Sequence, residues 1–153
     1  MPCTFVKGDM FETPGLKAVA HGCNTSGTMG RGVAKEVRAR YPKLYDAYKQ
    51  RCDDKLFNLG DVFPWVEGGF TVYNLGTQKS WRHKAKLDAI ETALKGMVAH
   101  AEKAGTTKIG LPRIGAGLGG LPWSEVRDLM VQVGGTTKIE LVVFEEFVAK
   151  AAK

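Results

Sequence analysis

No apolar run in this 153-residue sequence approaches the roughly 20 residues that a membrane-spanning helix needs, so no membrane association is expected. The opening Met1-Pro2-Cys3-Thr4-Phe5 has no charged stretch leading into an apolar core, and a secretory leader is not expected. Cysteine is scarce. Cys3, Cys23 and Cys52 are odd in number and lack zinc-like spacing, which excludes a disulfide framework and the common structural zinc sites. Reduced thiols in a cytoplasmic protein, or a nuclear one in a eukaryote, are the simplest reading, with no metal and no cofactor. There is no linker, low-complexity segment or repeat of fixed period. Two nucleotide-binding signatures are also missing. Gly27-x-x-Gly30-x-Gly32 reverses the order of a Rossmann fingerprint, and no Gly-Lys-Ser/Thr follows to make a P-loop. Acidic residues are the minority, 16 against 22 Lys and Arg, for a net charge of +6. That balance favours an anionic ligand or partner without choosing between a nucleotide and a nucleic acid.

Glycine is what the chain has in quantity, and it gathers in two turns. The first runs from His21 through Gly22, Asn24, Ser26, Gly27, Thr28, Met29, Gly30 and Gly32 to Val33 and Ala34. The second runs from Pro112 through Ile114, Gly115, Ala116, Gly117, Leu118 and Gly119 to Trp123. Each separates an apolar strand from a helix. Glycine lets backbone N–H groups turn toward a ligand, and a helix N-terminus adds unpaired donors and partial positive charge. Two such anion sites in one small domain suggest a clamp around a diphosphate. The alternative is a pair of tight turns with no ligand.

Periodicity and turn residues predict strands over Thr4–Lys7, Lys17–His21, Asp61–Val66, Phe70–Leu75, Lys108–Leu111 and Lys138–Phe144. They predict helices over Gly30–Tyr41, Lys43–Arg51, Lys84–Lys103 and Ser124–Val133, with the tail from Glu145 to Lys153 fraying. The hairpin-like turn Glu67-Gly68-Gly69 joins two of the strands. Alternating strands and helices imply one α/β domain with a mixed sheet and helices on both faces. Ligands in such folds sit beyond the carboxyl ends of the strands, where both glycine turns lie.

Several polar residues share that end. Asp9 follows the first strand, where a carboxylate can accept from an exocyclic amine such as adenine N6, or simply cap a turn. His21 offers a group that titrates near neutrality for proton transfer, or a buried ring satisfied by backbone. Asn24 offers donor and acceptor to ribose hydroxyls, or supports the turn. The stretch from Thr77 to Lys84 mixes polar, basic and aromatic residues. It suits closure over a sugar, a basic rim for nucleic acid, or a solvated loop capping the long helix. Trp65 and Trp123 read as packing residues, and His100 as structural or exposed.

Together these residues resemble the macro domain family from Phe5 to Phe144. Val6-Lys7-Gly8-Asp9-Met10-Phe11 looks like its opening strand with an adenine-selecting aspartate, Gly27–Val33 like its first diphosphate loop, and Ile114–Gly119 like its second. The stretch from His21 to Ala34 with Arg40-Tyr41-Pro42-Lys43, and Gly117–Trp123, look most like the yeast-type ADP-ribose-1''-phosphate phosphatases. Their branch also holds the terminal ADP-ribose protein glycohydrolases and DarG antitoxin macro domains. The resemblance implies one macro domain over 1–153, with a core of about 4–144. It implies three α/β/α layers around a mostly parallel sheet, and a monomer. The implied activity is hydrolysis of ADP-ribose-1''-phosphate to ADP-ribose and phosphate; removal of ADP-ribose from DNA or protein, or binding alone, are the alternatives. Asp9 and the Met10 backbone would take adenine. Amides from Ser26 to Val33 and from Ile114 to Gly119 would hold the diphosphate, with Thr77 beside them, and Asn24 the far ribose. His21 would serve proton transfer or phosphate contact, and Gln78 or Lys79 the departing phosphate. Glycohydrolase members have a lysine where this chain has Gln78 and an acidic residue where it has Gly119, and alternation turns Lys79 to the other face.

Overall fold

The protein is described here from a computed structural model over residues 3–117 and 119–147. Leu118 and the segment 148–153, both covered by expectations above, lie outside the described residues. In chain order the elements are β1 (Cys3–Gly8), β2 (Ala18–Asn24), α1 (Gly32–Arg40), α2 (Pro42–Asp53), β3 (Val62–Glu67), β4 (Phe70–Gln78), α3 (Leu87–Ala104), β5 (Lys108–Leu111), α4 (Trp123–Gly134) and β6 (Glu140–Phe147). The strands form a six-stranded sheet in the order β1-β6-β5-β2-β4-β3. Every neighbouring pair is parallel except the β3–β4 hairpin at one edge.

Strand alternation sorts the core into two layers. Ala18 and Ala20 of β2, Tyr73 and Leu75 of β4, and Leu141 and Val143 of β6 face one side of the sheet. There they meet the apolar stripes of α3 (Ile90, Leu94, Met97, Ala101) and α4 (Val126, Met130, Val133). Val19, Cys23, Val72 and Phe144 face the other side, against Val37 of α1 and Leu44, Tyr48 and Cys52 of α2. The result is the expected α/β/α sandwich, closed on both faces as a parallel sheet requires.

The differences from the predicted boundaries have identifiable causes. β2 continues to Asn24 because β4 continues to Gln78 beside it, pairing Cys23 with Gly76 and, after a register shift, Asn24 with Gln78. His21 therefore sits inside a strand rather than at the mouth of a turn. α3 begins at Leu87, three residues late. The Ala85 N–H is given to Gly119 O at 2.9 Å and the Lys86 N–H to Thr77 O at 2.8 Å, holding that segment extended. Glu145 and Glu146, expected to fray, belong to β6, which follows β1 to its end.

Candidate functional site

The connection after β2 leads to α1 and α2 on one face, while the connection after β5 leads to α4 on the other. β2 and β5 are neighbours. The chain thus departs in opposite directions from two adjacent strands, and such a divergence opens a crevice at their carboxyl ends. A continuous cleft occupies that place. Its larger part, about 530 Å³, lies between the start of α1, the loop after β5 (Pro112–Gly117) and Phe144–Glu145 of β6. The other part, about 360 Å³, lies between Asn24, Thr28–Gly30 and Trp81. Gly22, Arg31, Ala34 and Gln78 line both.

The loop after β2 is organised by one side chain. Asn24 Oδ1 accepts from the N–H groups of Ser26, Gly27 and Thr28 at 3.1–3.2 Å and from Ser26 Oγ at 3.0 Å. Asn24 Nδ2 donates to Thr28 O and Oγ1. From behind, the buried Tyr48 hydroxyl of α2 reaches Asn24 Oδ1 at 2.7 Å, and Tyr45 donates to Gly27 O at 3.0 Å. This corrects the donor set. The amides of Ser26, Gly27 and Thr28 are turned onto Asn24 and are not offered to a ligand, and neither Ser26 nor Gly27 lines the cleft. Further on, Met29, Gly30 and Arg31 line the cleft together with Gly32, Val33 and Ala34 of the first turn of α1, whose N–H groups a helix cannot pair. No side chain caps α1, and no acidic residue sits in its first turn. Its positive end therefore faces the cleft uncompensated.

The second loop divides in the same way. Ile114 N–H turns back to Pro112 O and Ala116 N–H to Arg113 O. The N–H groups of Gly115 and Gly117 have no acceptor among the described residues. Two glycines stand apart from the rest. At Gly119 an added Cβ would lie 2.6 Å from Gly115 O, so the fold itself needs glycine there. At Gly30 and Gly117 an added Cβ meets nothing within 4 Å, and neither has positive φ. Folding makes no demand for glycine at these two positions, and both line the cleft, one in each part.

The remaining expected residues separate. Gln78 lines both parts of the cleft; its amide nitrogen donates to Ser80 O at 2.8 Å and His83 O at 3.1 Å. Thr77 is buried against Cys23 O and also lines the cleft. Lys79 does not: strand alternation carries it to the opposite side, beside Lys86 and Asp88 at the start of α3. His21 is also withdrawn from the reacting groups. It is 1% exposed, lines neither part of the cleft, and is held by Asn74 Oδ1 at 2.6 Å. Burial lowers its pKa to about 4, only partly opposed by that hydrogen bond, so the ring is neutral near pH 7. Asp9 is buried outside the lining. Its Oδ1 accepts from Phe11 N–H at 2.9 Å, and its Oδ2 is 4.0 Å from Arg40 Nη2. Met10 is fully buried and packs in the α1–α2 layer. Among the described residues no group of three His, Cys, Asp or Glu side chains is placed to hold a metal ion.

Two arginine–tryptophan pairs in the cleft were not expected from the sequence, where Arg31 counts only among the basic residues that fit a DNA-linked substrate and Trp123 only as packing. The Arg31 guanidinium lies 5.7 Å from the centre of the exposed Trp81 ring, at the end of the cleft near Asn24. At the other end the Arg113 guanidinium lies 5.2 Å from Trp123, whose indole N–H donates to Glu145 at 2.9 Å. Trp123 is thus more than packing. No motif announces these pairs: Arg31 and Trp81 come from different loops, and Arg113 and Trp123 from opposite ends of the β5–α4 connection.

A profile of the family described as "Macro domain" matches residues 20–130. The chain belongs to this family. Among curated relatives, a DNA ADP-ribosyl glycohydrolase of Thermus aquaticus is 35% identical over 80% of this macro domain and 35% of its own length. The chain therefore spans about a third of that relative. The human ADP-ribose glycohydrolase OARD1 is 30% identical, over 92% of this macro domain and 90% of its own length. The ADP-ribose 1''-phosphate phosphatase of Candida albicans is 30% identical over 82% and 90%. Among solved structures, the macrodomain of Mycobacterium tuberculosis DarG matches with a TM-score of 0.86 at 26% identity, over 93% of this chain and 96% of that one. The relatives so named are hydrolases.

Proposed function

We propose that this macro domain binds ADP-ribose and hydrolyses ADP-ribose-1''-phosphate to ADP-ribose and phosphate. The observation that carries the binding is the pair Gly30 and Gly117, glycines that the fold does not require, set on the two loops flanking the uncapped start of α1. A diphosphate between them would take the amides of Met29–Ala34, Gly115 and Gly117. The adenosine half would extend along β6 toward the end of β1, where the adenine amino group would have to reach the Asp9 carboxylate, which lies outside the cleft lining and already holds the Phe11 N–H. The second ribose would extend toward Asn24, Gln78 and Trp81.

The reaction adds water to phosphorus. The bond from phosphorus to the anomeric oxygen breaks, that oxygen ends protonated, and phosphate departs. Both hydrogens of the Gln78 amide are used by the protein, so the side chain presents its carbonyl oxygen. An acceptor suits a water molecule better than a phosphate oxygen, and Gln78 is assigned to orient the attacking water. The glycohydrolase reading is weakened by the side chains present: among the described residues no lysine lines the cleft.

Removal of ADP-ribose from DNA is the second reading. It is favoured by Trp81, an exposed aromatic with the guanidiniums of Arg31 and Arg82 within 6 Å, a combination suited to a base and its phosphates. Incubation of the protein with ADP-ribose-1''-phosphate, ADP-ribosylated DNA and ADP-ribosylated protein, with products resolved by mass, separates the readings. Phosphate and ADP-ribose from the first substrate alone are expected. ADP-ribose released from DNA or protein, with the phosphate ester intact, would overturn the assignment.

A further inference from the structure

We infer that Arg31 reads the second anion of the substrate, the phosphate on the far ribose, and that Trp81 holds its guanidinium in place for that purpose. The inference rests on the ADP-ribose reading of the cleft and adds the group that separates a phosphorylated ligand from an unphosphorylated one.

Among the described residues the cleft wall supplies two cationic side chains, Arg31 and Arg113, and each guanidinium lies within 6 Å of a tryptophan ring centre. Neither is paired with a carboxylate among the described residues. By contrast, Arg40, at the far end of the helix that Arg31 precedes, is bonded to Glu36 at 2.7 Å and lies near Glu12 and Asp9. Contact with an aromatic face restrains a guanidinium without cancelling its charge, so the fork remains available to an anion.

Position decides which anion. Arg113 and Trp123 are at the β6 end, far along the cleft from Asn24. Arg31 lines both parts, but Trp81 lines only the part formed by Asn24, Thr28–Gly30 and Gln78, and its ring, 5.7 Å from the guanidinium, draws that end of Arg31 toward this part. The diphosphate already meets backbone amides and the α1 terminus between the two parts. A phosphate on the ribose beyond it would enter a region where the Arg31 fork is the cationic group of the wall. Arg82 also lies near Trp81, 5.0 Å from the ring, but does not line the cleft.

The test compares two ligands on four proteins: wild type, Arg31→Gln, Arg31→Lys and Arg82→Gln. Affinities for ADP-ribose and ADP-ribose-1''-phosphate are measured by calorimetry, with the KM from initial rates replacing the Kd wherever the ester turns over. Wild type is expected to prefer the phosphorylated ligand. Arg31→Gln should weaken that ligand roughly tenfold more than it weakens ADP-ribose, the effect of one charge-assisted hydrogen bond. Arg31→Lys should keep part of the preference, and Arg82→Gln should keep the wild-type ratio. Equal losses for both ligands in Arg31→Gln would place Arg31 on the diphosphate and overturn the inference. So would a wild type that binds ADP-ribose without preferring the phosphorylated form. A wild type that binds neither ligand would overturn the reading of the cleft itself, and this inference with it.

Discussion

Asn74 Oδ1 lies 2.6 Å from His21 Nε2, and the Asn74 amide nitrogen is committed to Phe63 O at 2.9 Å. With that nitrogen fixed, the oxygen facing His21 can only accept, so the neutral ring carries its proton on Nε2. The two residues are register partners on β2 and β4, so the hydrogen bond ties neighbouring strands directly beneath the cleft. The folded pKa of His21 is about 4, against 6.5 for an ordinary histidine. The unfolded chain therefore binds this proton more readily than the folded one. Stability is fully present above pH 6.5 and falls as the pH drops toward 4, by about 3 kcal/mol in all. Urea unfolding at pH 7.5 and pH 4.5 should show a loss for wild type about 2 kcal/mol greater than for His21→Gln, which keeps a donor for Asn74 and does not titrate. Turnover of His21→Gln should stay within a few-fold of wild type. A loss of roughly 100-fold, the effect of removing an acid–base group, would return His21 to the reaction.

Gly30 and Gly117 separate ligand binding from folding. Since their Cβ positions are open, Gly30→Glu and Gly117→Glu should fold normally by circular dichroism and melt within a few degrees of wild type. Each puts a carboxylate against the expected diphosphate. Juxtaposed like charges cost several kcal/mol, so ADP-ribose affinity should fall roughly 100-fold or more. Normal binding by a folded Gly30→Glu protein would make the first loop purely structural.

The strands and helices were largely legible: β5 appears where Lys108–Leu111 reads as a buried strand, and the stripe of α3 where 3.6-residue spacing puts it. Element ends were not, because they depend on partners. Whether β2 stops at His21 or Asn24 is decided by β4 beside it, and the start of α3 by Gly119 and Thr77. The site was legible as a place and as two loops. Its division of labour was not. That Ser26, Gly27 and Thr28 give their amides to Asn24 follows from loop geometry, which residue types alone do not encode. That Arg31 meets Trp81 depends on separate segments converging, and that Arg113 meets Trp123 depends on how the β5–α4 connection folds back on itself.

Adenine selection by Asp9 needs a test that distinguishes it from the structural work of the same side chain. Asp9 receives the Phe11 N–H and sits near Arg40, so Asp9→Ala disturbs both whatever the ligand. Removing the adenine amino group supplies the missing comparison. Wild type should bind inosine diphosphate ribose more weakly than ADP-ribose by about 1–3 kcal/mol, the scale of a hydrogen bond to a charged group. In Asp9→Ala the two ligands should bind alike. A difference that persists undiminished in the variant would assign the amino group to another acceptor.

The hydroxyl of Tyr48 supplies the last prediction, because it lies behind the loop and out of reach of any ligand. It is fully buried and lies 2.7 Å from Asn24 Oδ1, 2.8 Å from Asn24 O and 3.3 Å from Thr28 O. One hydroxyl proton thus has three loop acceptors within reach, of which it donates to one at a time, with Asn24 Oδ1 and Asn24 O the nearer two. Tyr48→Phe should cost about 1 kcal/mol of stability, a typical net hydrogen bond, and weaken ADP-ribose binding several-fold. AMP, which ends at one phosphate and has no second ribose, should lose less affinity. Asn24→Ala should cost more, since it leaves three amides without their acceptor. The two effects should be non-additive, because both substitutions break one network. Additive losses in ADP-ribose affinity, measured by calorimetry on the two single variants and the double variant, would mean that Asn24 contacts the ribose independently of Tyr48. Asn24 would then belong among the residues that touch the ligand, rather than those that shape the loop around it.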